Sequence, residues 1–251
     1  MADADRPVAP EVWRQPFAVR AYEVGPDERA PLLVVADYFQ EAAGEHARSG
    51  GVETFDLGTE GGTWVLHKLR LRVEDLPKMR ETVEVETWPS GRDGLRAYRD
   101  YRLWGPDGQP LVVGTSAWFV IDVARRRPVR LPEGLERFGP SEPEHVLTFG
   151  DPPEAPEAVA HRAAFTVRRS DLDRVGHANN VRFVEWALEA LPDEAGLREI
   201  EVLYHAEAIV GDVVVSEAGP LADGARAHRL SREADGRTLA LARTTWQDVG
   251  R

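Results

Sequence analysis

Two helical patterns stand out among runs of alternating apolar and polar residues. In the stretch Ser170 to Pro192, SDLDRVGHANNVRFVEWALEALP, Val181, Val184, Leu188 and Leu191 recur at helical spacing, and Phe183, Trp186 and Ala187 fill much of the remaining circumference. That spacing predicts a helix buried on most sides. Asn179 or Asn180 is placed to cap it, its side-chain oxygen accepting from main-chain N–H groups two or three residues on. A second helix is predicted over Leu33 to Ala47, LVVADYFQEAAGEHA. Segments of strand character follow each helix: Thr63 to Val73, Thr82 to Trp88, Leu95 to Trp104 and Pro110 to Val123 after the first, and Glu199 to Ala208, Asp212 to Glu217, Ala225 to Arg232 and Arg237 to Asp248 after the second. Asp107-Gly108 and Asp235-Gly236 are hairpin signals between the last two strands of each set. An antiparallel sheet wrapped around each helix accounts for a helix that is apolar all round.

The halves match. Phe17-Ala-Val-Arg20 parallels Phe165-Thr-Val-Arg168, and each is followed by a loop and then a helix. RDYRLWGPDGQPLVVGTSAW, ending at Trp118, lines up with RAHRLSREADGRTLALARTTW, ending at Trp246, and in both the tryptophan lies eleven residues after the Asp of the Asp-Gly turn. Such self-similarity predicts a duplicated domain. The segment Phe138 to Ala160, rich in Pro and Glu and without period, reads as the connector. The predicted organisation is an N-terminal domain over 10–139, a connector over 140–160 and a C-terminal domain over 161–251.

Composition narrows the function classes. The chain has 251 residues, a net charge of −12 and no cysteine. The charge argues against a general nucleic-acid binder, which needs a basic face for phosphates. No apolar run reaches the length of a membrane span, and the start MADADRPVAPEVW carries no apolar signal core, so the expected location is cytoplasmic. Without cysteine there is no thiolate nucleophile, disulfide or Cys-ligated metal, which leaves water, an oxygen or a carboxylate as the attacking group. One basic cluster departs from the acidic background: Arg125, Arg126, Arg127 and Arg130, with Arg168, Arg169 and Arg182 as further members. It is either a solvated turn or a docking patch for an acidic partner.

The candidate chemistry lies just before the second helix, where Asp171, Asp173, His177, Asn179 and Asn180 fall within ten residues. The first amides of a helix carry partial positive charge and suit a polarised carbonyl or an oxyanion. A carboxylate, an imidazole and an oxyanion donor would converge there. The alternative for the Asx residues is a role as caps and turn formers only. No second His or carboxylate cluster sits nearby at ligand spacing, so no metal and no cofactor is expected. No G-x-S-x-G elbow is present to support a serine hydrolase. After Phe17 the first half reads AYEVGPDERAP, with no Asp and His at the spacing of Asp173 and His177, so one active site is expected.

One helix enfolded by a sheet and duplicated in tandem resembles the double hot-dog arrangement, an α+β fold, of the acyl-acyl-carrier-protein thioesterases, the plant plastid enzymes and their bacterial relatives. The segments carrying the resemblance are Gly61 to Pro77, Glu81 to Gly91 and Gly114 to Pro132 in the first half, and DLDRVGHANNVRFVEWALEALP and LYHAEAIVGD in the second. It spans roughly Phe17 to Trp246. The resemblance implies hydrolysis of a fatty acyl thioester on acyl carrier protein by activated water, with Asp173, His177 and Glu207 as the catalytic residues. Asn179 and Asn180 would position the oxyanion. Val175 stands where the family usually has Asn, and Ala208 where plant members often have Cys. In this family the first half is associated with the acyl pocket, making Trp64, Val65 and Leu66 candidates for its lining. Arg125, Arg126, Arg127 and Arg130 would dock the carrier. The implied partner is an acyl carrier protein bearing a fatty acyl chain, with no nucleic acid and no membrane, the protein itself a monomer or homodimer. Competing readings within the fold are an acyl-CoA or polyketide-type thioesterase and a non-catalytic acyl-thioester-binding protein.

Overall fold

The computed structural model describes residues 11–51, 62–122, 125, 127–131, 145–192 and 196–247. It divides into two compact units: the described residues up to His67 with Glu74–Thr148, and Lys68–Val73 with Phe149 onward.

The first unit contains β1 (Trp13–Ala18), α1 (Leu32–Ser49), the part of β2 (Gly62–Val73) up to His67, β3 (Thr82–Asp93), β4 (Arg96–Trp104), β5 (Pro110–Asp122) and β6 (Arg127–Val129). Its sheet runs β1-β3-β4-β5-β2, with β6 paired to β5. The second unit contains β7 (His161–Thr166), a 3-10 turn at Arg169–Asp171, α2 (Asn180–Glu189), β8 (Leu197–Tyr204), β9 (Val213–Pro220), β10 (Arg226–Arg232) and β11 (Thr238–Trp246). Its order is β7-β9-β10-β11-β8, the same order strand for strand. Lys68–Val73, the last part of β2, pairs antiparallel with β8 and extends this second sheet. Arg70 and Arg72 there reach Glu199 at 2.6 and 3.2 Å. That pairing is a feature the sequence pattern does not predict.

Each helix buries one face on its sheet. Leu32, Val35, Ala36, Phe39 and Ala42 of α1 are buried, and Phe39 stacks on Tyr101 at 4.8 Å. In α2, Val181, Phe183, Val184, Trp186, Ala187 and Leu188 are buried, with Phe183 against Trp186 and Tyr204. Burying such a side chain contributes about 2–3 kcal/mol each. Neither helix is apolar all round. Arg182 and Glu185 of α2 are half-buried and pair at 2.8 Å along an edge the sheet does not cover, and Glu41 and Arg48 of α1 are exposed. Among the described residues no helix is long and apolar enough to cross a membrane.

The Asp-Gly turns at 107–108 and 235–236 join β4 to β5 and β10 to β11, with Gly108 and Gly236 at positive φ. Two further Asp-Gly turns, Asp93-Gly94 and Asp223-Gly224, join β3 to β4 and β9 to β10. They lengthen β3 beyond the predicted Trp88, out to Asp93. The predicted strand Glu199 to Ala208 is shorter: β8 stops at Tyr204, because His205 and Ala206 both donate to the Leu239 carbonyl and the chain leaves the ladder. Glu207 therefore lies on a loop.

Candidate active site

Two loops of the second unit meet at the start of α2. The first, Val167–Asn179, is closed by its own side chains and main chain. Asp173 Oδ1 accepts from the amides of Val175 (2.9 Å) and His177 (3.2 Å), and the Asp173 amide donates to the His177 carbonyl at 2.8 Å. Gly176 completes this tight turn at φ +87, in the left-handed region where an L side chain is strained. The second loop, His205–Asp212, lies against the first through the pairing of His177 with Ile209 and an N–H from Ala178 to the Ala208 carbonyl at 2.8 Å.

This arrangement sets His177 Nε2 2.7 Å from Glu207 Oε2. The side chains are 40% and 49% exposed, so water reaches both. A pair this open to solvent contributes no more than about 1 kcal/mol to folding. A carboxylate on Nε2 selects the tautomer with hydrogen there and leaves the Nδ1 lone pair available. Asp173 lies in the same turn but bonds the His177 main chain, not its ring. Val175 is exposed, with its side chain 54% accessible.

Asn179 is the N-cap of α2, its Oδ1 accepting from the Val181 amide at 3.3 Å. The Arg182 amide is taken by the Asn179 carbonyl, and among the described residues the Asn180 amide has no main-chain acceptor. Tyr204 Oη donates to the Asn180 carbonyl at 3.1 Å and ties the helix start to β8.

Asp171 does not join the His177–Glu207 pair. It is buried and accepts from the Arg168 amide at 2.7 Å and from the Arg168 guanidinium at 3.0 and 3.2 Å, with Arg182 at 4.0 Å. Burial opposes its charged form, but Arg168 and Arg182 together outweigh it and hold the carboxyl below the usual aspartate range. Its carbonyl receives the Asn179 amide at 2.8 Å, so this ion pair anchors the turn from behind. Arg168 and Arg182 are accordingly committed to Asp171 and Glu185.

The remaining candidates lie in the first unit. Trp64 is half-buried, Val65 exposed and Leu66 buried on β2. They line neither of two open clefts there, one of about 500 Å³ between Arg92, Leu95, Arg130 and Leu131, the other beside Arg14 and Trp104. Arg125 pairs with Asp122 at 3.1 Å, Arg127 and Arg130 are exposed, and Arg126 lies outside the described residues. Among the described residues no group of three or more His, Asp or Glu side chains is disposed to hold a metal ion.

Sequence reasoning passed over Asp171 as an anchor, Tyr204 as a helix tether, and Arg232. The last donates from Nη2 to the Glu207 carbonyl at 2.8 Å and from Nε to Asp212 at 3.0 Å. The available signal was its place in the repeat, at the turn position where the first half has Gly105.

Two family models match in tandem, the acyl-ACP thioesterase N-terminal domain over residues 10–137 and the acyl-ACP thioesterase C-terminal domain over 154–248. A dodecanoyl-[acyl-carrier-protein] hydrolase of Umbellularia californica is 30% identical, the match covering 94% of this chain and 68% of that one. Its counterpart from Cinnamomum camphora is 29% identical with the same coverage. The crystal structure of an acyl-ACP thioesterase from Bacteroides thetaiotaomicron superposes with a TM-score of 0.85 at 21% identity, covering 94% of this chain and 98% of the other, and so shares the double hot-dog fold. With one model on each half, in order and over most of its length, this chain belongs to the acyl-ACP thioesterase family.

Proposed function

We propose that the second unit hydrolyses fatty acyl-acyl-carrier-protein thioesters with water as the nucleophile, His177 as the base and Glu207 as its orienting carboxylate. The observation that carries this reading is the 2.7 Å contact between His177 Nε2 and Glu207 Oε2, open to solvent at the start of α2. Nδ1 takes a proton from water as its oxygen attacks the thioester carbonyl. The oxyanion of the tetrahedral intermediate faces the Asn180 amide and the Asn179 side-chain amide, a donor of this kind being worth about 3 kcal/mol. Collapse breaks the carbon–sulfur bond, and the imidazolium returns its proton to the departing thiolate, giving free fatty acid and the carrier's thiol. Base assistance supplies about a hundred- to ten-thousandfold. Asp173 shapes the turn that presents His177, an effect on geometry. The exposed Arg127 and Arg130, with Arg125 and Arg126, are the proposed contact for the acidic carrier, and Trp64, Val65 and Leu66 the proposed start of the acyl pocket.

Release of thiol and fatty acid from a panel of acyl-carrier-protein and acyl-CoA thioesters of several chain lengths tests this, with His177→Ala alongside. Turnover that is faster on the carrier protein and lost in the variant is the expected result. Saturable binding of the same thioesters without turnover would replace hydrolysis by an acyl-thioester-binding role.

A further inference from the structure

The two units carry the same turn in front of their helices, with several main-chain bonds in common. Gly25 donates to the Arg29 carbonyl as Asp173 does to that of His177, and Ala30 donates to Pro77 as Ala178 does to Ala208. Arg29 pairs with Lys78 as His177 pairs with Ile209. Position for position, Arg29 stands where His177 is, and Leu76 where Glu207 is.

In the first unit Arg29 Nη1 donates to the Leu76 carbonyl at 2.9 Å. In the second the equivalent position is an imidazole engaged with the Glu207 carboxylate, and the equivalent carbonyl, that of Glu207, is held instead by Arg232 Nη2 at 2.8 Å. Arg232 comes from the end of β10, a turn position at which the first unit has Gly105: both residues donate to the residue after the turn and accept from its glycine. The same carbonyl is clamped by a guanidinium in both units, from two different places in the chain.

The other arms of Arg232 fix the same loop. Nε donates to Asp212 Oδ2 at 3.0 Å, which also accepts from the Ile209 amide at 3.0 Å, and Nη1 donates to Asp235 at 3.2 Å. Its charge is matched by these two carboxylates, so the arm to Glu207 supplies position, in the planar fork geometry an arginine provides and a lysine does not. We propose that Arg232 is a positioning residue for the hydrolysis, holding the Glu207 main chain so that its carboxylate stays within hydrogen-bond reach of His177. This rests on the role assigned to Glu207 above.

The experiment is a double-mutant cycle read in kcat and KM on a fatty acyl-carrier-protein thioester, with folding followed by circular dichroism. Arg232→Ala should lower kcat about ten- to a hundredfold with KM within about twofold, the scale of a misplacement near 1 Å. In a Glu207→Ala background the same substitution should change kcat by less than about twofold, because no carboxylate is left to position. Arg232→Lys keeps the charge beside Asp212 and Asp235 and should show the same dependence with a smaller loss; it carries the test if the alanine variant does not fold. Equal losses with and without the Glu207 side chain, or a folded Arg232 variant with the wild-type kcat, would overturn the proposal. A Glu207→Ala variant with the wild-type rate would be a separate failure, that of the Glu207 assignment itself.

Discussion

The loop before α1 and the loop before α2 follow the same turn and differ in the side chains that carry chemistry. Gly25, Arg29, Pro31 and Leu76 of the first unit stand at the positions of Asp173, His177, Asn179 and Glu207 in the second, and most of the main-chain hydrogen bonds recur, although Pro31 cannot make the bond that the Asn179 amide makes to Asp171. Even the left-handed turn residues correspond, Glu28 (φ +61) with Gly176 (φ +87) and Arg80 (φ +69) with Gly211 (φ +88). The same turn therefore forms around two different sets of side chains. It offers one place, between a helix start and a bonded loop, and only the second unit fills that place with an imidazole and a carboxylate. Arg29 fills it with an ion pair to Asp75 and a carbonyl contact, which is structural chemistry.

The largest contrast should appear in turnover. Glu207→Ala and Asp173→Ala should each lower kcat/KM at least about a hundredfold, whereas Leu76→Ala, at the Glu207 position of the first unit, should leave it within about threefold. The Glu207 variant should melt near the wild-type temperature, since its ion pair is half in solvent.

A second contrast is acid sensitivity. His228 on β10 and Tyr101 on β4 hold equivalent places, His228 Nε2 2.8 Å from Thr244 Oγ1 and Tyr101 Oη 3.1 Å from Ser116 Oγ, while Trp246 and Trp118 donate to the same hydroxyls. Burial, with Arg226 adding to it, pushes the His228 imidazole down to about 4. The folded state thus prefers neutral His228. Its contribution is fully present above about pH 6.5 and is lost as pH falls toward about 4, in total about 3 kcal/mol at 1.36 kcal/mol per pH unit. Burial raises Tyr101, which stays neutral throughout this window. Denaturant titrations across pH 4–7 should show this limb in the wild type and not in His228→Gln.

Asp171→Asn should destabilise the second unit by about 2 kcal/mol at neutral pH, because it removes a buried carboxylate from Arg168 and Arg182. Since those arginines depress its titration, this contribution is present above the ordinary aspartate range and vanishes as pH falls through the folded value. The difference between the wild type and Asp171→Asn should therefore close in acid. The smallest expected effect is a gain. Arg80→Gly, by relieving an L residue at φ +69, should stabilise the first unit by up to about 1 kcal/mol, whereas Gly211→Ala should destabilise the second.

The duplicated helix-and-sheet plan was legible in the sequence because helices and hairpins are local: the apolar period around Phe183 and the Asp-Gly turns report themselves without knowledge of the rest. The pairs at 93–94 and 223–224 carried the same signal and extend it. The site was legible as far as it was local. The Asp173-to-Asn180 segment is one turn and one cap, but the meeting of His177 with Glu207, thirty residues on, came from family resemblance and not from spacing. Arg232 and the β2 segment Lys68–Val73 act across long separations, through a carbonyl and a strand edge, and main-chain partners leave no mark in residue types. Asp171 misled because a carboxylate in a motif looks alike whether it faces water or an arginine. The predicted end of β8 failed because Leu239, distant in sequence, captures His205 and Ala206.

One backbone turn occurs twice, and only the copy before α2 carries an imidazole and a carboxylate. The most direct measurement is turnover of a fatty acyl-carrier-protein thioester by His177→Ala and Arg29→Ala, the two equivalent positions, with melting temperatures taken on the same samples. His177→Ala should lose at least about a hundredfold without loss of fold, and folded Arg29→Ala should turn over within about threefold of wild type. Comparable losses at both positions, or a folded His177→Ala that turns over normally, would contradict this expectation.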